Sequence, residues 1–513
     1  MKRTLGQPTD SPAPPSSSPS TAACTSSTAG QLPATERGFG ARLMTPLLLG
    51  SLLNPVNSTM IATALVAVGR GFDVGAAETA WLVAALYLAS AVSQPTMGKL
   101  ADLFGPRKVF LAGLVIVLTA GAVGAAAPAF GWLIASRVLL GIGTSAAYPC
   151  AMALLRGEAA RLGRPVPRPV LGRLSLAALG SAATGPVLGG LLAATVGWRA
   201  IFAVNVPIAL AGLVLAMLWL PEDAHTALRE DTPPTGSTTS EGTIAKGPRA
   251  RRAPARTAGP TGTVSIDVPG ILLFAAALTT AMLFLMDLAR PRWVLLAPLA
   301  ALATAFVWWQ LRCHAPFLDL RVLARHRPLV LTYLRHGLTY LVIYCVMYGF
   351  AQWLEESHGF SSSGAGLIML PMSLAAAACS LLGARTEGIR GPLTLAAVLL
   401  LAGAGTLAFA HSDTPLALLL LASVLFGLPQ GLAGTSNQAA VAAQAPADGV
   451  GAAAGLQRTS QYLGAITASS LIALFYGHRA DDAGLHLIAV TAVVLGAVLC
   501  VLTGTDRALH GRS

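Results

Sequence analysis

Apolar runs of about 20 residues, each long enough for a bilayer hydrocarbon core of roughly 30 Å, recur along the whole chain with short loops between them. They fall at about 42–67, 78–98, 107–127, 130–155, 170–195, 199–220, 267–289, 292–311, 328–353, 363–384, 391–411, 415–440, 449–476 and 483–503. The pattern predicts an all-α membrane protein with about fourteen transmembrane helices. Composition agrees: 11% of residues are charged, against about 25% in a soluble domain, and the mean hydropathy is +0.66.

The net charge of +12 raises nucleic acid as a partner, so the placement of the basic residues decides. Of the 34 Lys and Arg, about 26 fall in the termini and even-numbered loops, about five in the odd loops and three inside spans. By the positive-inside rule both termini are cytoplasmic. The patches RGEAARLGRPVPRPVLGR and KGPRARRAPAR then fit topology and contact with anionic lipid headgroups, and nucleic acid is excluded. Residues 1–41, with SPAPPSSSPSTAACTSSTAG, read as a disordered cytoplasmic tail, 221–266 as a flexible basic linker and 506–513 as a second cytoplasmic tail. The 6 cysteines are scattered without a CxxC pair, which speaks against both a disulfide framework and a metal site. No HExxH pair, no GxSxG elbow with a partnering His and no ATP-binding loop is present, so an enzyme or a primary pump is not indicated.

Three stretches carry chemistry. After the second span comes GKLADLFGPRK, in which glycines permit a tight reversal and Asp102 and Arg107 can pair with each other or with a neighbouring helix end. The fourth span places Arg137 within LIASRVLLGIGTSAAYP; a guanidinium that deep calls for partners or a water-filled cavity, although snorkelling toward an interface is the plainer reading. The fifth span holds TGPVLGG, where Pro186 removes a backbone donor and Gly185, Gly189 and Gly190 admit a neighbouring helix closely.

Taken in order, these stretches resemble the motifs of the major facilitator superfamily, and of its fourteen-helix drug:proton antiporter branch. WRAIFAVNVP at the sixth span, IDVPGILL at the seventh and HGFSSSGAGLIMLP before the tenth extend the resemblance over about residues 42–505. It implies two six-helix bundles, 42–220 and 328–505, related by a pseudo-two-fold axis, with an inserted helix pair at 267–311. It implies a central cavity, a bacterial plasma membrane, a monomer working without cofactors, and export of amphipathic small molecules against protons. It also implies a cytoplasmic charge relay for Asp102 and Arg107, proton coupling for Arg137, and leak-tight bending of the fifth helix at Gly185–Gly190. GARTEGIRGP, residues 383–392, is a weak echo of the loop motif in the second half.

One departure stands out. Antiporters of this branch typically have an aspartate where this chain has Asn57, and an amide cannot carry a proton. Elsewhere Asp287, Glu355 and Glu356 lie near span ends and Asp102 at a helix mouth. So acid-poor an interior fits neutral or weakly anionic substrates better than multivalent cations. Tyr333, Tyr340, Tyr344 and Tyr348 share an arc of roughly 80° on the ninth span and, on the family layout, would run about 22 Å along the cavity wall; interhelical packing is the alternative. His336, near that arc, is a candidate proton carrier, whereas Arg335 points away to a helix contact or to headgroups. Asn54, Asn57 and Ser58 share a face of the first span, and Gln94, Tyr148, Gln430, Asn437, Gln457 and Tyr462 are further cavity candidates. Two functions compete: a proton-driven exporter of varied amphipathic molecules, and a dedicated exporter of one endogenous metabolite with altered or absent coupling.

Overall fold

The computed structural model describes residues 39–163, 168–222, 267–288, 290–313, 316, 318, 320–383, 388–444 and 450–509. Nearly all of the expected N-terminal tail and linker, and the last four residues, lie outside these.

Apolar segments in lipid must pair their backbone internally, and no strand occurs among the described residues. The first span is α1 (Ala41–Met60), a 3₁₀ turn at Ile61–Thr63 and α2 (Leu65–Phe72), bent by 62° at the break. There follow α3 (Ala76–Phe104), α4 (Pro106–Ala125), α5 (Phe130–Thr144), α6 (Ala147–Arg161), α7 (Arg168–Thr195), α8 (Arg199–Ala203) and α9 (Asn205–Trp219). After residue 266 come α10 (Val268–Leu285), α11 (Leu296–Arg312), α12 (Leu320–Arg325), α13 (Arg327–Glu356), α14 (Ser362–Gly383), α15 (Arg390–Ala408), α16 (Leu416–Gln444), α17 (Val450–Tyr476) and α18 (Asp482–Thr505).

Among the described residues eleven helical segments are long and apolar enough to cross a membrane, or twelve counting the bent first pair as one. The expected spans 170–195 and 449–476 do form helices, α7 and α17, of 28 and 27 residues, but neither belongs to that set. In α17 the reason is visible in Gln457, Arg458 and Gln461, which dilute its apolar character.

Helix pairings in the first half recur in the second. The contacts of α1 with α7 and α9, of α3 with α5, and of α4 with α5 and α9 are matched by α13 with α17 and α18, α14 with α16, and α15 with α16 and α18. The halves meet through two reciprocal contacts, α3 with α17 and α7 with α14. We call the end where α1 starts and α18 finishes the terminal end, and its opposite the far end. Toward the far end α13 is buried at every position from Leu341 to Glu355, whereas the part of α3 nearer the terminal end, Gln94–Leu100, is only half-buried.

A local repeat supports the same relation. Gly105 and Gly388 both adopt positive φ, 94° and 96°, a backbone that side chains disfavour. Two residues on, Arg107 donates to Met217 O at 2.8 Å and Arg390 to Gly504 O at 3.1 Å. Each arginine thus holds the last turn of its half's final helix, where unpaired carbonyls give negative partial charge.

The pair α10 and α11 lies at the periphery, with 11% of each span buried against 67% for α13. Asp267 of IDVPGILL holds it together: its carboxylate caps α10 through Gly270 N at 2.9 Å and accepts from Trp309 Nε1 at 2.6 Å and Gln310 Nε2 at 2.9 Å. Asp267→Ala removes a cap worth about 1 kcal/mol and strands buried donors at about 1–3 kcal/mol each. The thermal unfolding midpoint in detergent is expected to fall, with Asp267→Asn retaining much of the loss; an unchanged midpoint in Asp267→Ala would show the pair to be held by lipid-facing packing alone.

Candidate functional site

The sequence candidates gather in three places. The first is a polar knot inside the first half. Asn57, 1% exposed, turns toward α9 and exchanges hydrogen bonds with Asn205, at 2.5 Å to Asn205 Oδ1 and 2.9 Å back to Asn57 Oδ1. Arg137 donates from Nε to Leu82 O at 3.0 Å and from Nη1 to Asn57 O at 3.2 Å. Its Nη2 has no hydrogen-bond partner among the described residues. The guanidinium therefore ties α5 to the carbonyls of α3 and α1 and stays well inside the protein. Asn54 donates to Thr144 Oγ1 at 3.0 Å, and Ser58 to Pro55 O at 2.9 Å.

The second is a cluster of tyrosines at the seam. Tyr348 donates to Ser58 O at 2.7 Å and shares a 3.0 Å hydrogen bond with Tyr87 of α3. The Tyr87 ring lies 5.1 Å from Tyr344 and 5.5 Å from Tyr462, and Tyr344 lies 5.7 Å from Tyr340 and 5.9 Å from Tyr348. Gln461 donates to Tyr344 OH at 2.8 Å, and Tyr462 to Gln94 Oε1 at 2.6 Å. Offset rings at these separations attract one another beyond their buried area. The α13 arc is thus packed in its far half. Tyr333 stands apart, donating to Ala453 O at 3.0 Å, and Tyr148 on α6 is 48% exposed.

Beside Tyr340, at 4.7 Å, is the His336 ring, buried, with Nδ1 unpartnered among the described residues. Arg335 and Arg458 are its charged neighbours. Arg335 turns into a buried network with Asp506 at 3.2 Å, Asn437 at 3.1 Å and Thr332 at 3.1 Å, the helix contact expected of it.

The third is the far-end closure. A Cβ at Gly185 would strike Thr59, one at Gly189 would strike Met60 O, and one at Gly190 would strike Ser362 O at the start of α14. Across the same seam, a Cβ added at Gly366 would lie 2.6 Å from Pro186 O, a carbonyl that also accepts from Thr63 of its own half at 3.0 Å. Ala77 N and Gly477 O join the loops above α2 and α17 at 2.8 Å. Glu355 belongs here too: Ser362 Oγ donates to its Oε2 at 2.6 Å, while Oε1 is buried without a partner among the described residues. A polar cavity of about 270 Å³ nearby includes Arg70, Asp73, Gln352, Glu356 and His478 in its lining.

Arg107 reaches Met217 O, and Glu222 at 3.5 Å across an exposed rim; the Asp102 side chain lies outside the described residues. Tyr87, Asn205, Arg458 and Gln461 were not singled out from sequence, and Glu355 was named only as an acid near a span end. Tyr87 gives no signal within LVAALYLAS, whereas Arg458 carries the same signal as Arg137, an arginine within a span.

The Major Facilitator Superfamily profile matches residues 47–469 and 332–509. The chain belongs to the Major Facilitator Superfamily. It is 30% identical over 475 residues to the uncharacterized MFS-type transporter YwoD of Bacillus subtilis (strain 168), covering 91% of this chain and 97% of that one. It is 27% identical over 461 residues to the tetracenomycin C resistance and export protein of Streptomyces glaucescens, covering 85% and 75%. Among solved structures it is similar to the xylose transporter XylE from E. coli, with TM-score 0.57, 13% identity, and coverage of 92% and 99%. A multi-span membrane transporter of this superfamily is the result, in keeping with a bacterial inner membrane.

The glycine contacts across the seam close the far end in this structure. Gly190→Ala introduces overpacking of about 1–3 kcal/mol against that closure, enough to shift a two-state balance about tenfold. Spin labels at Val74 and Arg479, one on each half, are expected to show a longer distance in Gly190→Ala; an unchanged distance distribution would mean the contact yields without opening.

Proposed function

We propose that the protein is a secondary transporter of fourteen spans, α7 and α17 being the last two, which exports amphipathic small molecules by alternating access and draws on the proton gradient. The observation that carries this reading is the seam itself. It is closed at the far end by glycine-to-backbone contacts and lined deeper by tyrosines and amides, while Tyr148 is exposed on the terminal side. With the terminal end taken as cytoplasmic by the positive-inside rule, this state is open toward the cytoplasm, where an exporter loads. The export named for the Streptomyces relative supports the direction. The working partners are the substrate, protons and the lipid bilayer, with a monomer as the unit.

Coupling needs a group that gains and loses a proton, and Asn57, paired with Asn205, is not one. His336 has Arg335 and Arg458 as charged neighbours, an unfavourable seat for a further positive charge. Glu355 offers a buried carboxylate at the closure, facing Arg70 from α2 and its neighbour Glu356. In the proposed cycle its proton is exchanged as the Ser362 contact breaks and forms. The second reading, a dedicated metabolite exporter with altered coupling, is favoured by the absence of a carboxylate from the Asn57–Arg137–Asn205 knot.

The test is export of a panel of cationic, neutral and anionic amphipathic dyes from energised inside-out vesicles and proteoliposomes. Gradient-dependent movement of several dyes is expected, lost in Glu355→Gln and retained in His336→Ala. Movement that survives collapse of both the pH gradient and the membrane potential would remove proton coupling, and movement of none would favour the dedicated exporter.

A further inference from the structure

Three arginines lie inside spans, and they are satisfied unequally. Arg137 donates to two main-chain carbonyls, and Arg335 is paired with Asp506. Arg458, on α17, makes a single side-chain hydrogen bond among the described residues, Nη1 to Gln461 Oε1 at 3.5 Å, one turn along the same helix. Among the described residues no carboxylate lies within ion-pair distance of it: the ion pairs join Arg107 to Glu222, Arg161 to Glu158, Arg292 to Asp287 and Arg335 to Asp506. Nor does an aromatic face serve as its counter-charge, since the cation–π contacts there involve Arg199 with Trp198 and Arg312 with Trp308.

Its electrostatic neighbours are phenols, Tyr340 and Tyr344 from α13, Tyr462 from its own helix and Tyr148 from the other half, and the rings of Tyr340 and Tyr344 lie 5.7 Å apart, with Tyr462 joined to them through Tyr87. The setting is rigid. A Cβ at Gly337 would lie 3.0 Å from Ser460 O, and one at Gly464 3.0 Å from Leu341 N, so α13 and α17 touch backbone to backbone on either side of this register. The Tyr344 hydroxyl is already fixed by Gln461 Nε2 at 2.8 Å. Arg458 itself is half-buried, and the exposed Tyr148 ring leaves the set open on the terminal side. A guanidinium held in an aromatic chamber within a membrane is unfavourable without a counter-charge, and planar anions meet its fork of donors in two parallel hydrogen bonds.

We infer that Arg458 is an anion-recognising residue of the transport cavity, and that the substrates are aromatic anions: a carboxylate or phenolate on a flat ring system. The anionic group lies against the Arg458 guanidinium and the rings among Tyr148, Tyr340, Tyr344 and Tyr462, whose faces accept flat apolar surface and whose hydroxyls reach its polar edges. This rests on the export reading above and narrows its substrate class.

The probes are two dyes with one ring skeleton and opposite charge, fluorescein and rhodamine 6G, added to the purified full-length protein in detergent at mildly alkaline pH and followed by fluorescence anisotropy. Fluorescein is expected to bind at least about tenfold more tightly than rhodamine 6G. Arg458→Gln should weaken fluorescein roughly 10- to 100-fold, the range for a hydrogen-bonded charge, and leave rhodamine 6G unchanged or tighter. Arg458→Lys should recover part of the loss, because it restores the charge without the fork. Tyr148→Leu, at an exposed ring, should weaken both dyes alike. Fluorescein failing to bind, binding no better than rhodamine 6G, or binding equally to Arg458→Gln overturns the inference; the wild-type comparison decides even where a variant does not fold. Charge-selective binding without gradient-dependent export from proteoliposomes would keep Arg458 as an anion site and reject the export reading.

Discussion

Contact between main chains, with no side chain in between, is the condition on which the arrangement of this protein depends. In lipid there is little hydrophobic drive to press one helix on another, so association rests on close van der Waals packing. The glycines of α7 provide it on two sides at once, toward α1 within the half and toward α14 across the seam. Gly337 and Gly464 do the same between α13 and α17. Where these contacts set the helices, the longer side chains between them, Tyr87, Tyr344, Tyr348 and Arg458, have fixed places to occupy.

The charges follow a consistent division. Arginines at the terminal end, Arg107 and Arg390, hold the final helix of each half through main-chain carbonyls, and Arg335 is neutralised by Asp506. These contacts lie within one half, so a rocking movement leaves them intact. The interactions that cross the seam are tyrosine hydroxyls, glycine contacts and short main-chain bridges, while Glu355 beside it is held by a hydrogen bond from Ser362 of its own half. Strong polar bonds stiffen each half, and weaker ones join the two.

Much of the architecture was legible in the sequence, because a twenty-residue apolar run has one way to satisfy its backbone in a bilayer. The runs with polar interiors were the hard part: α17 carries Gln457, Arg458 and Gln461, which make it useful to a site and weaken it as a hydropathy signal. The α7 glycines, the Asn57 departure and the acid-poor interior were all visible as residue types. Their partners were not. Nothing in one sequence says that Asn57 turns toward Asn205, 148 positions away, or that Tyr348 reaches Tyr87 across 261. Helical spacing orders side chains on one helix and is silent about which neighbour they meet. The tyrosine arc shows the limit: four rings share one face, yet Tyr333 packs on α17 while Tyr344 and Tyr348 enter the cluster at the seam.

The peripheral pair has a bearing on the surrounding lipid. Helix α10 touches α3 of one half and α17 of the other, and Ser470 of α17 donates to Met286 Sδ just past its end, at 3.4 Å. It therefore roofs one of the two seams, whereas the seam between α7 and α14 has no such cover among the described residues. By the pseudo-symmetry of the halves the two seams would face the bilayer alike; the inserted pair makes them unequal, covering one flank while the other carries no such cover among the described residues.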